Sequence, residues 1–153
     1  MFRDNTEALK CRVLYMKYMT ELLTTNNLEY DEHRVSSWST HMIISPEFEW
    51  NKIERDGEII GFVIINNSPD FSDNIDVYIE DVYIKPEYRR RGIVTGVIKQ
   101  VLEKYKGKYI GLSVINTNQV ARLFWLSIFS SLNVLPETAI NEHLTDMYFK
   151  MGD

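Results

Sequence analysis

The fold is set by residues 74–106, which read NIDVYIEDVYIKPEYRRRGIVTGVIKQVLEKYK. Branched and aromatic residues alternate with polar ones over residues 75–84, which predicts a strand that ends before Pro86. From Gly92 onward the apolar residues recur at helical spacing, which predicts an amphipathic helix with its C-cap at Gly107. The segment is therefore predicted to form a strand, a basic turn and a helix whose long apolar face packs on a sheet.

The turn between this strand and this helix has the chemistry of an anion site. Backbone N–H groups at a helix N-terminus lack intrahelical partners, and glycines let a ligand approach them closely. Residues 85–108 carry eight basic and two acidic side chains, a net charge of +6, whereas the rest of the chain carries nine basic and twenty acidic ones, a net charge of −11. Charge alone fits a solvated basic helix start better, but the glycine-bearing turn favours phosphate binding.

Residues 78–98, YIEDVYIKPEYRRRGIVTGVI, resemble the acetyl-CoA-binding segment of the GCN5-related N-acetyltransferase (GNAT) superfamily. The signature of that segment is Arg/Gln-x-x-Gly-x-Gly/Ala, preceded by a strand and a proline-containing bend. Arg89 and Gly92 fit the signature, but Val94 takes its last position, and the next glycine, Gly96, comes two residues late. The resemblance therefore rests on the whole strand, bend, turn and helix rather than on the glycines.

A second resemblance lies in the C-terminal third of the chain. Asn118, Ala121 and Phe124 match the family's Asn-x-x-Ala-x-x-Leu/Phe-Tyr helix, and Trp125 stands where the family has its tyrosine. The two segments give specific motif support over residues 75–125, and the order of elements agrees with the family from Phe48 onward.

The resemblance and the order of elements imply an α/β (α+β) fold with a GNAT-like mixed, mostly antiparallel sheet and helices on both faces. Residues 1–153 are predicted to form a single GNAT-like acetyltransferase domain. The family's first strand is predicted to be short or missing, because only three residues precede the capping residue Asp4. The remaining predicted helices cover residues 4–26 and 118–131, with a further helical segment between residues 30 and 45 that contains Val35, Trp38 and Met42. The other predicted elements are a hairpin of residues 48–54 and 58–65, polar connections over residues 66–74 and 136–142, and strands over residues 109–115 and 144–151.

Composition excludes several classes of function. A net charge of −5 and a pI near 5.2 argue against nucleic-acid binding, and no apolar run approaches the ~20 residues that span a membrane. The single cysteine, Cys11, cannot form an intrachain disulfide and fits a cytoplasmic protein. The three histidines lack the spacing of metal ligands, so no metal is expected.

The resemblance implies an acyltransferase that moves the acetyl group of acetyl-CoA to a primary amine of a small molecule or peptide by direct attack. It implies that the N–H of Val82 stabilises the thioester oxygen, that the backbone of Ile84 pairs with pantetheine, and that Asn118 touches the pantetheine arm. The pyrophosphate would be held by the amides and side chains of Arg89, Arg90, Arg91, Gly92, Ile93, Val94, Thr95 and Gly96.

Glu80 is the candidate general base, because IEDVYI resembles the Glu-Asp-aromatic pattern of spermidine/spermine-type acetyltransferases in this superfamily. Strand alternation predicts that Glu80 and Val82 share one face and that Asp81 lies on the other, unless a β-bulge changes the phase. Asp76 and Tyr78 share the face of Glu80 and offer alternative groups to orient an amine or water. An ordinary exposed strand carboxylate is the other interpretation of Glu80.

Trp125 separates two classes of function. Its indole N–H is only a hydrogen-bond donor and cannot serve as a general acid near neutral pH, so the family's tyrosine has no direct equivalent. Tyr83 and Tyr148 are substitutes by residue type alone. The alternative function is therefore a non-catalytic acyl-CoA-binding or protein-interaction domain, and a homodimer is left open in either case.

Overall fold

The computed structural model of the chain describes residues 2–69 and 74–152. Within this part of the chain, the helices are α1 (Asn5–Thr25), α2 (Glu32–Ile44), α3 (Ile93–Leu102) and α4 (Gln119–Leu132). The strands are β1 (Phe48–Arg55), β2 (Glu58–Asn66), β3 (Val77–Ile84), β4 (Tyr109–Ile115), β5 (Glu137–Ile140) and β6 (Leu144–Lys150). Short 3₁₀ turns occupy Pro86–Tyr88 and Glu103–Tyr105.

The six strands form one mixed sheet in the order β1-β2-β3-β4-β6-β5. Every neighbouring pair is antiparallel except β3 and β4, which run parallel. Alternate residues of β2 pack against different layers: Phe62 and Ile64 contact the α1–α2 side, whereas Val63 and Ile65 contact the α3–α4 side. A mostly antiparallel sheet with helices on both faces confirms the predicted fold class.

Aromatic side chains join α1 and α2 to the sheet. The ring centroids of Trp50 and Phe62 lie 5.2 Å apart, and Tyr15 of α1 packs edge-on to Trp50 at 6.2 Å. The indole N–H of Trp50 donates to the carbonyl of Met42 in α2 at 3.0 Å. Because such aromatic pairs add about 0.5–1.5 kcal/mol each beyond their area burial, this cluster fixes the two helices against β1, β2 and β3.

The opposite face of the sheet is covered by α3 and α4. Ile98 and Leu102 of α3 and Ile128 of α4 are buried against the aliphatic side chains of β4. The helix predicted to run on toward residue 105 instead ends at Leu102 and tightens into a 3₁₀ turn, before Gly107 adopts a φ of +77°. This ending keeps the apolar stripe on the sheet and turns the chain into β4.

The first helix begins with the predicted cap. Asp4 is the N-cap residue, and its Oδ1 accepts a hydrogen bond from the N–H of Glu7 at 2.9 Å. No strand precedes α1 in the described residues, as the sequence predicts. The predicted second helix is also confirmed, with Asp31 as its N-cap.

Two predicted boundaries need correction. The polar connection predicted over residues 136–142 contains β5, which pairs with β6 and has no buried side chain to produce an alternating pattern. The central strand begins at Val77 rather than at Ile75, although Ile75 is buried. Residues 70–73 of the connection predicted before it lie outside the described residues. None of the described helices is both long enough and apolar enough to cross a membrane.

A buried carboxylate ties α1 to the edge of the sheet. Glu7 is 5% exposed and accepts a hydrogen bond from the ammonium group of Lys52 on β1. It also pairs with the guanidinium of Arg3, which reaches Glu54 at 3.2 Å. The hydrogen bond from Lys52 is the main reason that the pKa of Glu7 falls to about 2.

We expect Glu7→Gln to lower the melting temperature at neutral pH, because the amide lacks the charge that Lys52 and Arg3 stabilise. The pKa of Glu7 is depressed in the folded protein from 4.5 to about 2, so the stabilisation is complete above pH 4.5 and is lost as the pH falls toward 2. Thermal melts of both proteins should therefore converge over this interval. A constant difference, or an equal loss in the exposed control Glu87→Gln, would contradict the assignment.

Candidate functional site

The two parallel strands separate at the centre of the sheet. β3 and β4 pair only through Val77 with Ile110, Tyr78 with Gly111 and Ile79 with Leu112. Beyond these pairs β3 continues to Ile84 and β4 to Ile115, with no further ladder between them. We call the opening between residues 80–84 of β3 and residues 113–115 of β4 the strand gap.

Backbone donors of β3 face the strand gap. Lys85, just after β3, donates its N–H to the carbonyl of Ile60 on the β2 side at 2.8 Å. Because successive N–H groups of a strand point to opposite edges, the N–H groups of Val82 and Ile84 point to the β4 side. These are the two backbone groups that the sequence assigns to the thioester and to pantetheine.

A β-bulge in β3 changes which side chains share a face. Ile64 pairs with Asp81 and Ile65 with Ile79, so Glu80 is the extra residue. Val82 packs on the α3–α4 side, whereas Asp81 contacts α1 on the other side. The prediction that Glu80 and Val82 share a face with Asp81 opposite is therefore wrong, because the bulge shifts the alternation by one residue.

The sequence contains a signal for this bulge. The branched aliphatic residues of the strand stand at 75, 77 and 79 and then at 82 and 84, so one step spans three residues instead of two. Strict alternation cannot bury both sets on the same face. The adjacent acidic residues Glu80 and Asp81 fill the longer step, which places both carboxylates on the α1 side.

Asp81 is a partly buried carboxylate held by α1. The hydroxyl of Tyr18 donates to its Oδ1 at 3.0 Å. Burial raises the pKa of Asp81 to about 8, the hydrogen bond from Tyr18 opposes that rise, and the charge of Glu80 adds to it. Neither Tyr18 nor Asp81 is among the residues that the sequence singles out as functional.

Glu80 occupies a less enclosed position on the same face. Its Oε1 accepts a hydrogen bond from the side-chain amide of Asn66 at 3.2 Å. Burial raises the pKa of Glu80, and the hydrogen bond from Asn66 lowers it in part. The carboxylate is thus oriented by β2 at the bulge, directly after the last residue of β3 that pairs with β4.

A hydrogen-bonded chain crosses from β3 to β6 beside the strand gap. Ser113, the first residue of β4 beyond the paired region, donates to Oδ1 of Asp146 at 2.5 Å and shares a hydrogen bond with the hydroxyl of Tyr78. Burial raises the pKa of Tyr78 to about 12. Asp76 instead accepts the backbone N–H of Tyr109 at 2.9 Å, which commits it to fixing the start of β4.

The basic turn leads into an uncapped helix. Gly92 is the N-cap of α3 with a φ of +75°, a conformation that favours glycine, and no side chain caps the helix. The first intrahelical bond runs from the N–H of Gly96 to the carbonyl of Gly92 at 3.1 Å. The N–H groups of residues 93–95 precede this bond, and a Cβ at Gly92 or Gly96 would meet no atom within 4 Å. The turn therefore has donors and space for an anion.

The three arginines of the turn differ in their surroundings. Arg89 forms an ion pair with Glu21 of α1 at 2.7 Å and donates from Nε to the carbonyl of Ile84 at 3.0 Å. Arg90 and Arg91 are exposed. Arg89 therefore braces the turn against α1 and β3, while its two neighbours extend the positive surface into solvent.

The β4 side of the strand gap leads into α4. Asn118 is the N-cap of α4, and its Oδ1 accepts the N–H of Ala121 at 3.1 Å. This bond commits the carbonyl oxygen of the side chain, which leaves its amide NH₂ group as the donor for a ligand. Trp125, two turns later, is 6% exposed and packs on Phe124 and Phe129 in the core.

Helix α1 bridges both sides of the strand gap. Tyr18 contacts Asp81 on β3, and one turn later Glu21 pairs with Arg89 in the basic turn. At the end of α1, Oδ1 of Asn26 accepts a hydrogen bond from the hydroxyl of Thr117 at 2.7 Å, in the loop between β4 and α4. The carboxylates of the bulge are thus walled by α1.

Two surface cavities border α1 and α2. One, of about 570 Å³, is lined by Tyr15, Leu23 and Trp38 among others, and the other, of about 590 Å³, by Arg12, Tyr30 and Ser36 among others. Neither is lined by the basic turn or by the strand gap, so volume alone does not locate this site. In residues 2–69 and 74–152, no three His, Cys, Asp or Glu side chains are grouped as metal ligands would be.

The fold brings the predicted cofactor residues to one end of the sheet. Val82 and Ile84 lie on the free half of β3, the turn and helix start of residues 89–96 follow directly, and Asn118 comes just after β4. This is the carboxyl end of a parallel strand pair, where ligands of open α/β sheets bind. Sequence reasoning missed Tyr18 and Ser113, which reach the site only through contacts with distant segments.

A family model described as "Acetyltransferase (GNAT) family" matches residues 11–129. A search of curated proteins finds no match to this chain.

Solved structures share the fold at low sequence identity. An acetyltransferase from Thermus thermophilus is 12% identical and superposes with a TM-score of 0.70 over 94% of this chain and 90% of that chain. PaiA N-acetyltransferase from Thermoplasma acidophilum, solved with coenzyme A, is 17% identical and superposes with a TM-score of 0.68 over 95% of this chain and 93% of that chain. Diaminobutyrate acetyltransferase EctA from Paenibacillus lautus was solved with L-2,4-diaminobutyric acid and coenzyme A. It is 14% identical and superposes with a TM-score of 0.64 over 93% of this chain and 89% of that chain.

We expect Asp81→Asn to stabilise the protein increasingly as the pH rises. The pKa of Asp81 is raised from 3.8 to about 8 in the folded protein, so ionisation of the unfolded chain between these values destabilises the fold. The melting temperature of the variant relative to the parent should rise from pH 5 to pH 8 and then level off. A shift of one pKa unit corresponds to about 1.4 kcal/mol of stability, so the effect should be measurable. A difference in melting temperature between variant and parent that stayed constant from pH 5 to pH 8 would show that Asp81 titrates normally.

Proposed function

Because this chain belongs to the acetyltransferase (GNAT) family, we propose that it transfers the acetyl group of acetyl-CoA to a primary amine of a small molecule or peptide. The observation that carries the proposal is the strand gap, which opens beside an uncapped helix start in a basic turn. Two structural relatives support the choice of co-substrate and acceptor: Arabidopsis thaliana NAA60 was solved with acetyl-CoA, and the Paenibacillus enzyme with a diamino acid.

The residues of this chain fit acetyl-CoA as co-substrate. The N–H groups of residues 93–95 and the side chains of Arg90 and Arg91 would hold the pyrophosphate, because Gly92 and Gly96 leave space in front of them. The backbone of Ile84 would pair with the amides of the pantetheine arm, and the amide NH₂ of Asn118 would approach it from the β4 side. When bound, acetyl-CoA supplies an acetyl group activated as a thioester.

The proposed transfer is a direct attack. The nitrogen bonds to the acetyl carbon as the carbon–sulfur bond breaks, and the ammonium form of the acceptor gives up two protons, one of which ends on the sulfur. The N–H of Val82 would donate to the thioester oxygen as negative charge develops there. Glu80 would take the first proton, directly or through water, because its carboxylate stands at the bulge beside Val82.

Trp125, at the position of the family's tyrosine, offers no general acid that could protonate the leaving thiolate. Trp125 is packed in the core and carries only an indole N–H, so the proposed route to the sulfur runs through solvent. The same observation favours the second candidate, a non-catalytic acyl-CoA-binding or protein-interaction domain. Release of free thiol from acetyl-CoA across a panel of amines separates the two candidates. A cytoplasmic location and a homodimer stay predictions from the sequence.

We expect Gly92→Glu to abolish acetyl-CoA binding, because it places a carboxylate where the pyrophosphate would approach the backbone. Gly57→Glu is the matched control: Gly57 has a φ of +78°, and a Cβ there also meets open space, at the tip of the β1–β2 hairpin. Both variants carry the same backbone strain, so calorimetry isolates the effect of position. Equal acetyl-CoA affinity in the two folded variants would contradict the phosphate site.

We expect Glu80→Gln to keep acetyl-CoA affinity and to lose acetyl transfer by about 100- to 10,000-fold, the range of general-base catalysis. The loss should shrink at high pH, where more of the acceptor is already neutral. Single-turnover rates across pH measure the effect, with Glu137→Gln on the outermost strand β5 as an exposed control. A variant within about threefold of the parent at neutral pH, well short of a general-base effect, would remove Glu80 from the mechanism.

A further inference from the structure

Arg12 of α1 carries a buried hydrogen-bond donor without an acceptor. Its Nε is shielded from solvent and has no hydrogen-bond partner, and no other buried side-chain nitrogen or oxygen atom in residues 2–69 and 74–152 lacks one. The same guanidinium donates from Nη2 to the hydroxyl of Ser36 on α2. Because the large majority of buried side-chain polar atoms in proteins are hydrogen-bonded, the unpaired Nε indicates a partner that these segments do not supply.

The guanidinium of Arg12 also lacks a counter-charge. In the described part of the chain it takes part in no ion pair, whereas Arg3, Lys52 and Arg89 each pair with a glutamate. A charged group that is partly withdrawn from water without an opposite charge costs free energy. The planar guanidinium presents neighbouring N–H groups that match the two oxygens of a carboxylate. Arg12 is therefore suited to a carboxylate from outside the chain.

Arg12 lines a cavity with room for such a ligand. This is the cavity of about 590 Å³ described above, which we call the Arg12 cavity. Its walls include the apolar side chains of Val13 and Met16 and the ring of Tyr30, and Val13 is 56% exposed. The volume falls within the range of small-molecule sites, which combine apolar walls with a few convergent polar groups. An apolar chain therefore has surface to pack on beside the guanidinium.

The other charged groups of the Arg12 cavity limit the charge of the ligand. Glu21 and Glu32 line it together with the exposed Lys17. Glu21 is held by Arg89 at 2.7 Å, which fixes a negative charge at that end of the cavity. A doubly charged anion such as phosphate would be repelled by two carboxylates, whereas a monoanion needs only the guanidinium.

We propose that the Arg12 cavity binds a monocarboxylate with a short apolar chain. Its carboxylate accepts hydrogen bonds from the guanidinium of Arg12, and its chain packs on Val13, Met16 and Tyr30. The inference goes beyond the proposed function, because neither acetyl-CoA nor an amine enters it. No residue of the sheet lines the cavity, which borders the basic turn through Glu21, the partner of Arg89.

An acceptor within the chain makes a different forecast. Glu32 lines the same cavity, and an ion pair between Glu32 and Arg12 would also satisfy the guanidinium. In that case Glu32→Gln should lower the melting temperature as much as Arg12→Gln does. If the partner is a bound monocarboxylate, Glu32→Gln should leave the melting temperature unchanged and tighten binding, because it removes a negative charge from the cavity.

The test is an NMR titration of the nitrogen-labelled protein with sodium hexanoate at neutral pH and constant ionic strength. The Nε–H signal of Arg12 is identified by its absence from Arg12→Lys, and we expect hexanoate to shift it saturably. Arg12→Gln should weaken hexanoate binding by about tenfold or more, the effect of a lost charge-assisted hydrogen bond. Arg34→Gln is the matched control, since Arg34 is exposed on α2 and lines the other cavity.

Related compounds test each part of the assignment. Hexanamide lacks the charge, acetate lacks the chain, and inorganic phosphate adds a second charge, so each should bind more weakly than hexanoate. Arg12→Lys keeps a positive charge without the planar fork, and it should also bind hexanoate more weakly; it replaces Arg12→Gln if that variant does not fold.

Four outcomes would overturn the inference. They are the absence of a saturable shift with hexanoate, an equal response to hexanamide or phosphate, unchanged hexanoate affinity in both folded Arg12 variants, and a loss of stability in Glu32→Gln that matches the loss in Arg12→Gln. None of these outcomes bears on acetyl transfer, which is measured separately by thiol release.

Discussion

The parallel ladder between β3 and β4 holds for only three residue pairs, and the rest of the candidate site depends on where it stops. Each strand remains supported on its outer edge, β3 by β2 and β4 by seven pairs with β6, so the inner edges can separate without loss of the sheet. Backbone N–H groups on those inner edges lack partners in the β3–β4 ladder. A ligand with amide groups of its own could accept hydrogen bonds from them, as an added strand does at a sheet edge.

The bulge at Glu80 determines which side chains of β3 lie on each face of the sheet. It leaves Val82 on the α3–α4 side and turns Asp81 toward α1. A regular strand would have placed one of the two adjacent carboxylates in the apolar layer under α3 and α4, where an ionised group has no partner. The bulge therefore makes both acidic residues compatible with the core and places both carboxyl groups on the side that α1 walls.

The helical layers contribute unequally to stability and to chemistry. The α3–α4 layer is apolar, and it includes Trp125, whose indole is buried in the core. The α1 side mixes aromatic packing with polar contacts, since Tyr18 reaches Asp81 and Glu21 reaches Arg89. Because α1 contacts both Asp81 at the bulge and Arg89 in the basic turn, it holds these two parts of the candidate site in one geometry.

The sequence by itself determined the helices and most strands, the basic turn and the exposed donors at the start of α3, because these depend on local periodicity, turn residues and capping. It also contained the longer aliphatic step at Glu80 and Asp81, although strict alternation misassigned their faces. Only the tertiary structure decided the partners of these carboxylates. Tyr18 is 63 residues from Asp81, and Ser113 is 33 residues from Asp146. Such contacts depend on strand register and helix packing, which no local pattern encodes.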